Sequence, residues 1–163
     1  VREPSGYFLL KNNDKKCLID AGPLIALFDR DDHYHEPVLD FFRNFEGRLV
    51  TSWAVISETL HMLDFNVHVQ ADFLKWLERD AIEIPVLEKR HIARIIELSE
   101  KYSDIPMDFA DATLIVISED ERIGEIITID SDSHVYRNIR REMLTNIFEP
   151  YQQKRPTGEK KIY

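Results

Sequence analysis

Cysteine is almost absent from this chain of 163 residues, which contains only Cys17. A single thiol excludes a disulfide framework, a cysteine-based zinc site and a CxxC redox pair. Its position in a short apolar run predicts a small buried side chain within a strand. The sequence also lacks an apolar run long enough to cross a membrane, and its first residues show no signal-peptide pattern. We therefore expect a cytoplasmic protein with no membrane partner.

Positive charge is the minority sign, because 21 Lys and Arg stand against 30 Asp and Glu and give a net charge of −9. This balance disfavours binding of a polyanion through a broad basic surface. It suits a site where carboxylates gather and a bound cation reverses the local sign. A protein with no nucleic-acid role is the alternative that charge alone favours.

The chain is predicted to be one domain between two extensions. Residues 1–15 are an N-terminal extension, residues 16–150 the domain, and residues 151–163 a polar C-terminal tail. Within the domain, strand-like apolar segments alternate with helical ones, and the strands are expected at residues 16–20, 48–51, 81–86, 125–129 and 146–149. This alternation predicts an α/β fold in which a central, mostly parallel sheet lies between helical layers.

The first strand and the turn after it organise this domain. Asp20 ends the strand, Ala21 and Gly22 are predicted to form a sharp turn, and Pro23 is predicted to open a helix. Two other residues are expected to mark helix boundaries, namely Gly47 as a helix end and Ser52 as the cap of the next helix.

Two aspartates, Asp20 and Asp130, each follow an apolar strand. If the two strands are parallel neighbours, both acids lie at the carboxyl edge of the sheet, where such sheets bind ligands. Either acid alone is explained as the cap of the following helix. The two together indicate a site.

Three further acids can be placed at the same edge. Glu58 lies less than two helical turns after the second strand, and Asp108 and Asp111 share a face at the start of a later helix. The common alternative for Glu58 is a solvated helix side chain, which its position between apolar Ile56 and Leu60 disfavours. The helix dipole explains Asp108 as well as a site does. Asp111 leads a nearly unbroken apolar run, where a carboxylate is costly unless it is paired or bound to metal.

Oxygen donors without cysteine or paired histidine favour a hard ion, Mg²⁺ or Mn²⁺. The six histidines show no zinc-binding spacing, and most are expected at the surface. A divalent ion held by several carboxylates can activate water against a phosphodiester bond.

The chain resembles the PIN-domain family of metal-dependent ribonucleases, which includes the VapC toxins of toxin–antitoxin pairs. The resemblance covers about residues 16–150 and depends on four blocks in order, residues 18–27, 51–58, 107–112 and 127–132. It implies a three-layer α/β/α sandwich and an Mg²⁺- or Mn²⁺-dependent endoribonuclease that hydrolyses RNA phosphodiester bonds. The partners it implies are RNA, a cognate antitoxin protein and a second copy of the chain in a homodimer.

The resemblance also assigns residues to the site. It implies an acidic triad of Asp20, Glu58 and Asp111, with Asp130 as the fourth acid and Asp108 and Asp132 as additional candidates. Relatives often carry Thr or Ser directly after the first aspartate, where this chain has Ala21. The hydroxyl groups that could compensate belong to Thr51, Ser52 or Ser131.

Two other functions compete with the ribonuclease. Ala21 supports a catalytically weak or inactive PIN module that binds RNA or a protein partner. A haloacid-dehalogenase phosphatase would need a second aspartate where Gly22 stands, and a receiver domain would need an acidic pair and a phosphoacceptor that the sequence does not show.

Overall fold

A computed structural model describes residues 15–104, 107–130 and 143–148. The predicted C-terminal tail and, apart from residue 15, the predicted N-terminal extension lie outside these ranges. The elements in chain order are β1 Lys16–Ile19, α1 Ala21–Phe28, α2 His35–Asn44, β2 Arg48–Val50, α3 Trp53–Met62, α4 Val67–Glu78, β3 Ile82–Glu83, a 3₁₀ turn Lys89–His91, α5 Ile92–Lys101, α6 Phe109–Glu121, β4 Glu125–Ile127 and β5 Thr145–Asn146.

Five parallel strands form the sheet in the order β3-β2-β1-β4-β5. In the central strand β1, Leu18 pairs with Val50 on one side and with Ile126 on the other. Because helices cover the sheet, the β1 side chains from Cys17 to Ile19 are fully buried. The predicted α/β/α sandwich with a parallel sheet is confirmed.

The β1–α1 junction differs from the prediction. Ala21 and Gly22 are the first two residues of α1 rather than a turn, because the Asp20 carboxylate accepts a hydrogen bond from the Ala21 N–H at 2.7 Å and caps the helix directly. Gly22 permits close packing, since a Cβ there would lie 3.4 Å from the Cβ of Ile129. Pro23 falls in the first turn, where backbone N–H groups have no helical partner.

Gly47 does not end the helix before it, because α2 already ends at Asn44. Its backbone has φ +159°, and a Cβ there would lie 2.9 Å from the carbonyl oxygen of Lys15. That same oxygen accepts a hydrogen bond from the Arg48 N–H at 2.8 Å. Gly47 therefore lets the chain approach the start of β1 as β2 begins.

The strands are shorter than predicted, and β3 lies at one edge of the sheet. Among the helices, α1 packs against α2 and α3, while α6 packs against α3 and α5. The apolar run of α6 from Ala112 to Ser118 is entirely buried. His91 is an exception to the expectation of surface histidines, because it is buried and its Nδ1 accepts a hydrogen bond from the Glu88 N–H at 2.8 Å.

None of the helices in the described ranges is long and apolar enough to cross a membrane.

Candidate functional site

Asp20 is fixed through both oxygens of its carboxylate at the carboxyl end of β1. Oδ1 accepts the hydrogen bond from the Ala21 N–H, and Oδ2 accepts one from the Thr128 hydroxyl at 2.9 Å. The backbone N–H of Asp20 donates to the Ile127 carbonyl at 3.1 Å, which continues the pairing of β1 with β4. The side chain is half-buried, and these contacts leave it little freedom to turn away from the edge.

Thr128 brings Asp20 and Asp130 together. Its hydroxyl oxygen donates to Asp20 and accepts a hydrogen bond from the Asp130 N–H at 3.0 Å. Asn146 of β5 supports Thr128 in turn, because its side-chain amide donates to the Thr128 carbonyl at 3.0 Å. The two acids are thus neighbours at the carboxyl edge, as expected from parallel, adjacent strands.

The hydroxyl that contacts Asp20 is not one that the sequence singled out. Thr51 donates to the Ile19 carbonyl at 2.7 Å, and Ser52 caps α3 by accepting from the Val55 N–H at 3.2 Å. Ser131 and Asp132 lie outside the described residues. Sequence reasoning missed Thr128, although a polar residue inside the apolar strand that leads to Asp130 was a usable signal.

Asp108 and Asp111 form a reciprocal cap at the start of α6. The Asp111 N–H donates to Asp108 Oδ1 at 2.8 Å, and the Asp108 N–H donates to Asp111 Oδ2 at 3.3 Å. Asp108 is exposed and Asp111 half-buried. A capping role accounts for the carboxylate of Asp108, whereas Asp111 also places its charge at the head of a buried helix.

The pKa of Asp111 is raised to about 7, first because burial removes water from the carboxylate and then because the negative charge of Asp108 lies close by. The hydrogen bond from the Asp108 backbone opposes this rise, while the charges of Asp20 and Asp130 add to it. Burial likewise raises the pKa of Asp20, against the hydrogen bonds from Ala21 and Thr128.

Glu58 joins the same electrostatic group from the second turn of α3. Burial raises its pKa first, followed by the negative charges of Asp108 and Asp20. Its side chain is largely exposed, and charge–charge interaction connects it to the other acids. We call the set of Asp20, Glu58, Asp108, Asp111 and Asp130 the acid cluster.

The acid cluster suits a hard cation by its donor chemistry, because all five side chains end in carboxylates whose repulsion a cation would relieve. The positions of these carboxylates fit a metal ion less well than their chemistry does. Within residues 15–104, 107–130 and 143–148, no three His, Cys, Asp or Glu side chains lie close enough together to hold one metal ion. Binding would therefore require the carboxylates to draw inward.

A parallel α/β/α sandwich with carboxylates at one edge is the arrangement expected of a PIN domain. The PIN domain model matches residues 17–139, and the chain belongs to that family. Among curated proteins, Ribonuclease VapC26 of Mycobacterium tuberculosis is 28% identical over 115 residues, covering 69% of this chain and 85% of the relative. Among solved structures, Mycobacterium tuberculosis VapC20, described as a Sarcin-Ricin loop cleaving toxin, matches with a TM-score of 0.66 and 16% identity. That match covers 71% of this chain and 91% of VapC20, and it confirms the fold.

Proposed function

We propose that this protein is a metal-dependent endoribonuclease that hydrolyses RNA phosphodiester bonds. The observation that carries the proposal is the acid cluster, in which burial and then the negative charges of neighbouring acids raise the pKa values of Asp20, Glu58 and Asp111. A divalent cation bound at such a site would offset the repulsion among its carboxylates. The name of the curated relative VapC26, a ribonuclease, supports RNA as the substrate.

In this proposal the catalytic and metal-binding residues are Asp20, Glu58, Asp111 and Asp130, with Asp108 as an additional ligand. Mg²⁺ or Mn²⁺, when bound, supplies the positive charge that lowers the pKa of a water molecule and offsets charge on the phosphate. Thr128 acts as a positioning residue, because its hydroxyl holds one oxygen of Asp20.

We further propose that the protein is a cytoplasmic toxin of a toxin–antitoxin pair, with a cognate antitoxin and a second copy of the chain as partners. The similarity to VapC26 supports this part of the proposal. Co-expression with the product of the adjacent gene and measurement of the complex in solution test it. A chain that stays monomeric and binds no neighbouring gene product would contradict it.

A non-catalytic PIN module is the second candidate, and Ala21 is the feature that favours it. The contact between Thr128 and Asp20 weakens that argument, because a hydroxyl group supports the first aspartate from another strand. We therefore place the active enzyme first.

Cleavage of a labelled single-stranded RNA tests the proposal. We expect cleavage with Mg²⁺ or Mn²⁺, none with a chelator, and a loss in Asp20→Asn and Asp111→Asn. Asp64→Asn is the matched control, because Asp64 is an exposed aspartate just beyond the far end of α3. If both cluster variants cleave at the wild-type rate, the activity belongs to a contaminant and the non-catalytic module takes precedence.

A further inference from the structure

Two large aromatic side chains are exposed at helix starts. Trp53 is the first residue of α3 and is 65% exposed, and Phe109 is the first residue of α6 and is 63% exposed. The other tryptophan behaves in the usual way, since Trp76 is 7% exposed and packs against Phe28 and Phe73. Leaving a Phe-sized side chain in water forgoes about 1.5–3 kcal/mol of burial energy, so both rings are candidates for a binding role.

Both residues stand on helix starts that carry members of the acid cluster, because Phe109 directly follows Asp108 and α3 carries both Trp53 and Glu58. Each directly follows a helix cap, Ser52 for Trp53 and Asp108 for Phe109. The hydroxyl oxygens of Ser52 and Thr113 lie 2.8 Å apart, and Thr113 is one helical turn beyond Phe109, so this contact joins the two helix starts. The two helix starts that carry the exposed rings therefore meet near the edge of the sheet at which the carboxylates gather.

We propose that Trp53 and Phe109 are surfaces on which unpaired RNA bases stack beside the scissile phosphodiester bond. This inference rests on the proposed function for what brings RNA to the acid cluster. A protein of net charge −9 has little general attraction for phosphates, so affinity must come from a source other than a broad basic surface. Stacking of bases on aromatic rings is such a source, and it does not depend on net charge.

The same geometry selects the class of RNA. Bases within a duplex are stacked on one another and offer no free face, whereas bases in single strands and loops can turn outward onto an aromatic ring. Trp53 and Phe109 therefore contact unpaired bases next to the cleaved bond, in a single strand or a loop.

Tryptophan fluorescence provides a direct test. The wild-type full chain is mixed rapidly with a short single-stranded RNA in the presence of Mg²⁺, and binding is read before the RNA is cleaved. We expect quenching that disappears in Trp53→Phe, which leaves Trp76 as the remaining fluorophore, and much weaker quenching by a duplex of the same sequence. Measured by labelled-RNA anisotropy, Trp53→Ala and Phe109→Ala should each weaken binding roughly 5- to 150-fold, while Trp53→Phe keeps most of the affinity.

Phe65→Ala is the matched control, because Phe65 is 58% exposed and lies beyond the opposite end of α3. Its affinity should stay at the parent value. Unchanged affinity in Trp53→Ala and Phe109→Ala overturns the inference, and so does the absence of single-strand binding with Mg²⁺, which would leave the rings to a protein partner. The proposed function fails separately, if the wild-type chain does not cleave the RNA that it binds through these rings.

Discussion

Asp20 combines a structural contact with a candidate chemical role. One oxygen caps α1 and the other accepts the Thr128 hydroxyl, so the residue would be needed for the local fold even without a metal. The charges of Asp108 and Asp130 nevertheless raise its pKa beyond the effect of burial. Replacing it changes both roles at once, and variants of its neighbours separate them more clearly.

Thr128→Val tests the positioning of Asp20. The change keeps the shape of the side chain but removes a buried hydroxyl that donates to Asp20 and accepts from the Asp130 N–H. We therefore expect the free energy of unfolding to fall by roughly 1–3 kcal/mol. We also expect a lower kcat with little change in KM. Thr59→Val is the control, because Thr59 is equally buried but donates to the Val55 carbonyl within α3. Equal losses of kcat in both variants would show that Thr128 acts only through stability.

Asp111→Asn tests the electrostatic strain of the site. The pKa of Asp111 is about 7 in the folded protein and 3.8 in the reference state, so the folded protein binds more protons between these values and the metal-free chain loses stability as pH rises from about 4 to about 7. Asn keeps an oxygen for the cap but carries no charge. We expect the variant to be more stable than the parent above pH 7 by roughly 1–2 kcal/mol. The difference is no larger because the side chain is partly exposed and water screens its charge.

Urea unfolding in the presence of a chelator measures this difference. The gap between variant and parent should shrink as the pH falls from about 7 to about 4 and close below that, where the parent carboxyl is protonated in both states. A gap that stays constant with pH would mean that the charge of Asp111 is not the cause.

At the scale of elements, the junction between α2 and β2 depends on one glycine. A Cβ at Gly47 would lie 2.9 Å from a backbone oxygen of the chain entering β1, so Gly47→Ala should lower the free energy of unfolding by roughly 1–3 kcal/mol. Gly124→Ala before β4 is the control, because a Cβ there meets nothing within 4 Å, and we expect it to be neutral or slightly stabilising. Equal effects in chemical denaturation would rule out a steric role for Gly47.

The sequence predicted the elements better than their junctions. The shared pattern of an apolar strand followed by an aspartate predicted that Asp20 and Asp130 end neighbouring parallel strands, and β1 and β4 are such neighbours. The turn predicted at Ala21 was wrong because a single side-chain hydrogen bond starts α1 one residue after β1. That contact is local, whereas the one between Thr128 and Asp20 joins residues 108 positions apart, which no local pattern records.

At the scale of the whole molecule, the acidic side chains have different partners in different parts of the sheet. At the amino end of β1, Lys16 lies 2.6 Å from Glu83 and 2.8 Å from Glu121, so these two acids are paired. At the carboxyl edge, burial and then the negative charges of neighbouring acids raise the pKa values of Asp20, Glu58 and Asp111. A cation bound at this edge would offset that repulsion.

Divalent metal should therefore raise the melting temperature of the protein. A ligand that binds only the folded state stabilises it by about 2.7 kcal/mol at 100 times its Kd, and a chelator should reverse the gain. KCl at matched ionic strength is the control, because screening of a net charge of −9 also favours the compact state. The response to Mg²⁺ or Mn²⁺ should exceed that to KCl in the parent and in Asp64→Asn, and should fall to the KCl level in Asp111→Asn. If Asp111→Asn keeps the full response in thermal unfolding, the ion binds elsewhere and the acid cluster is not the metal centre.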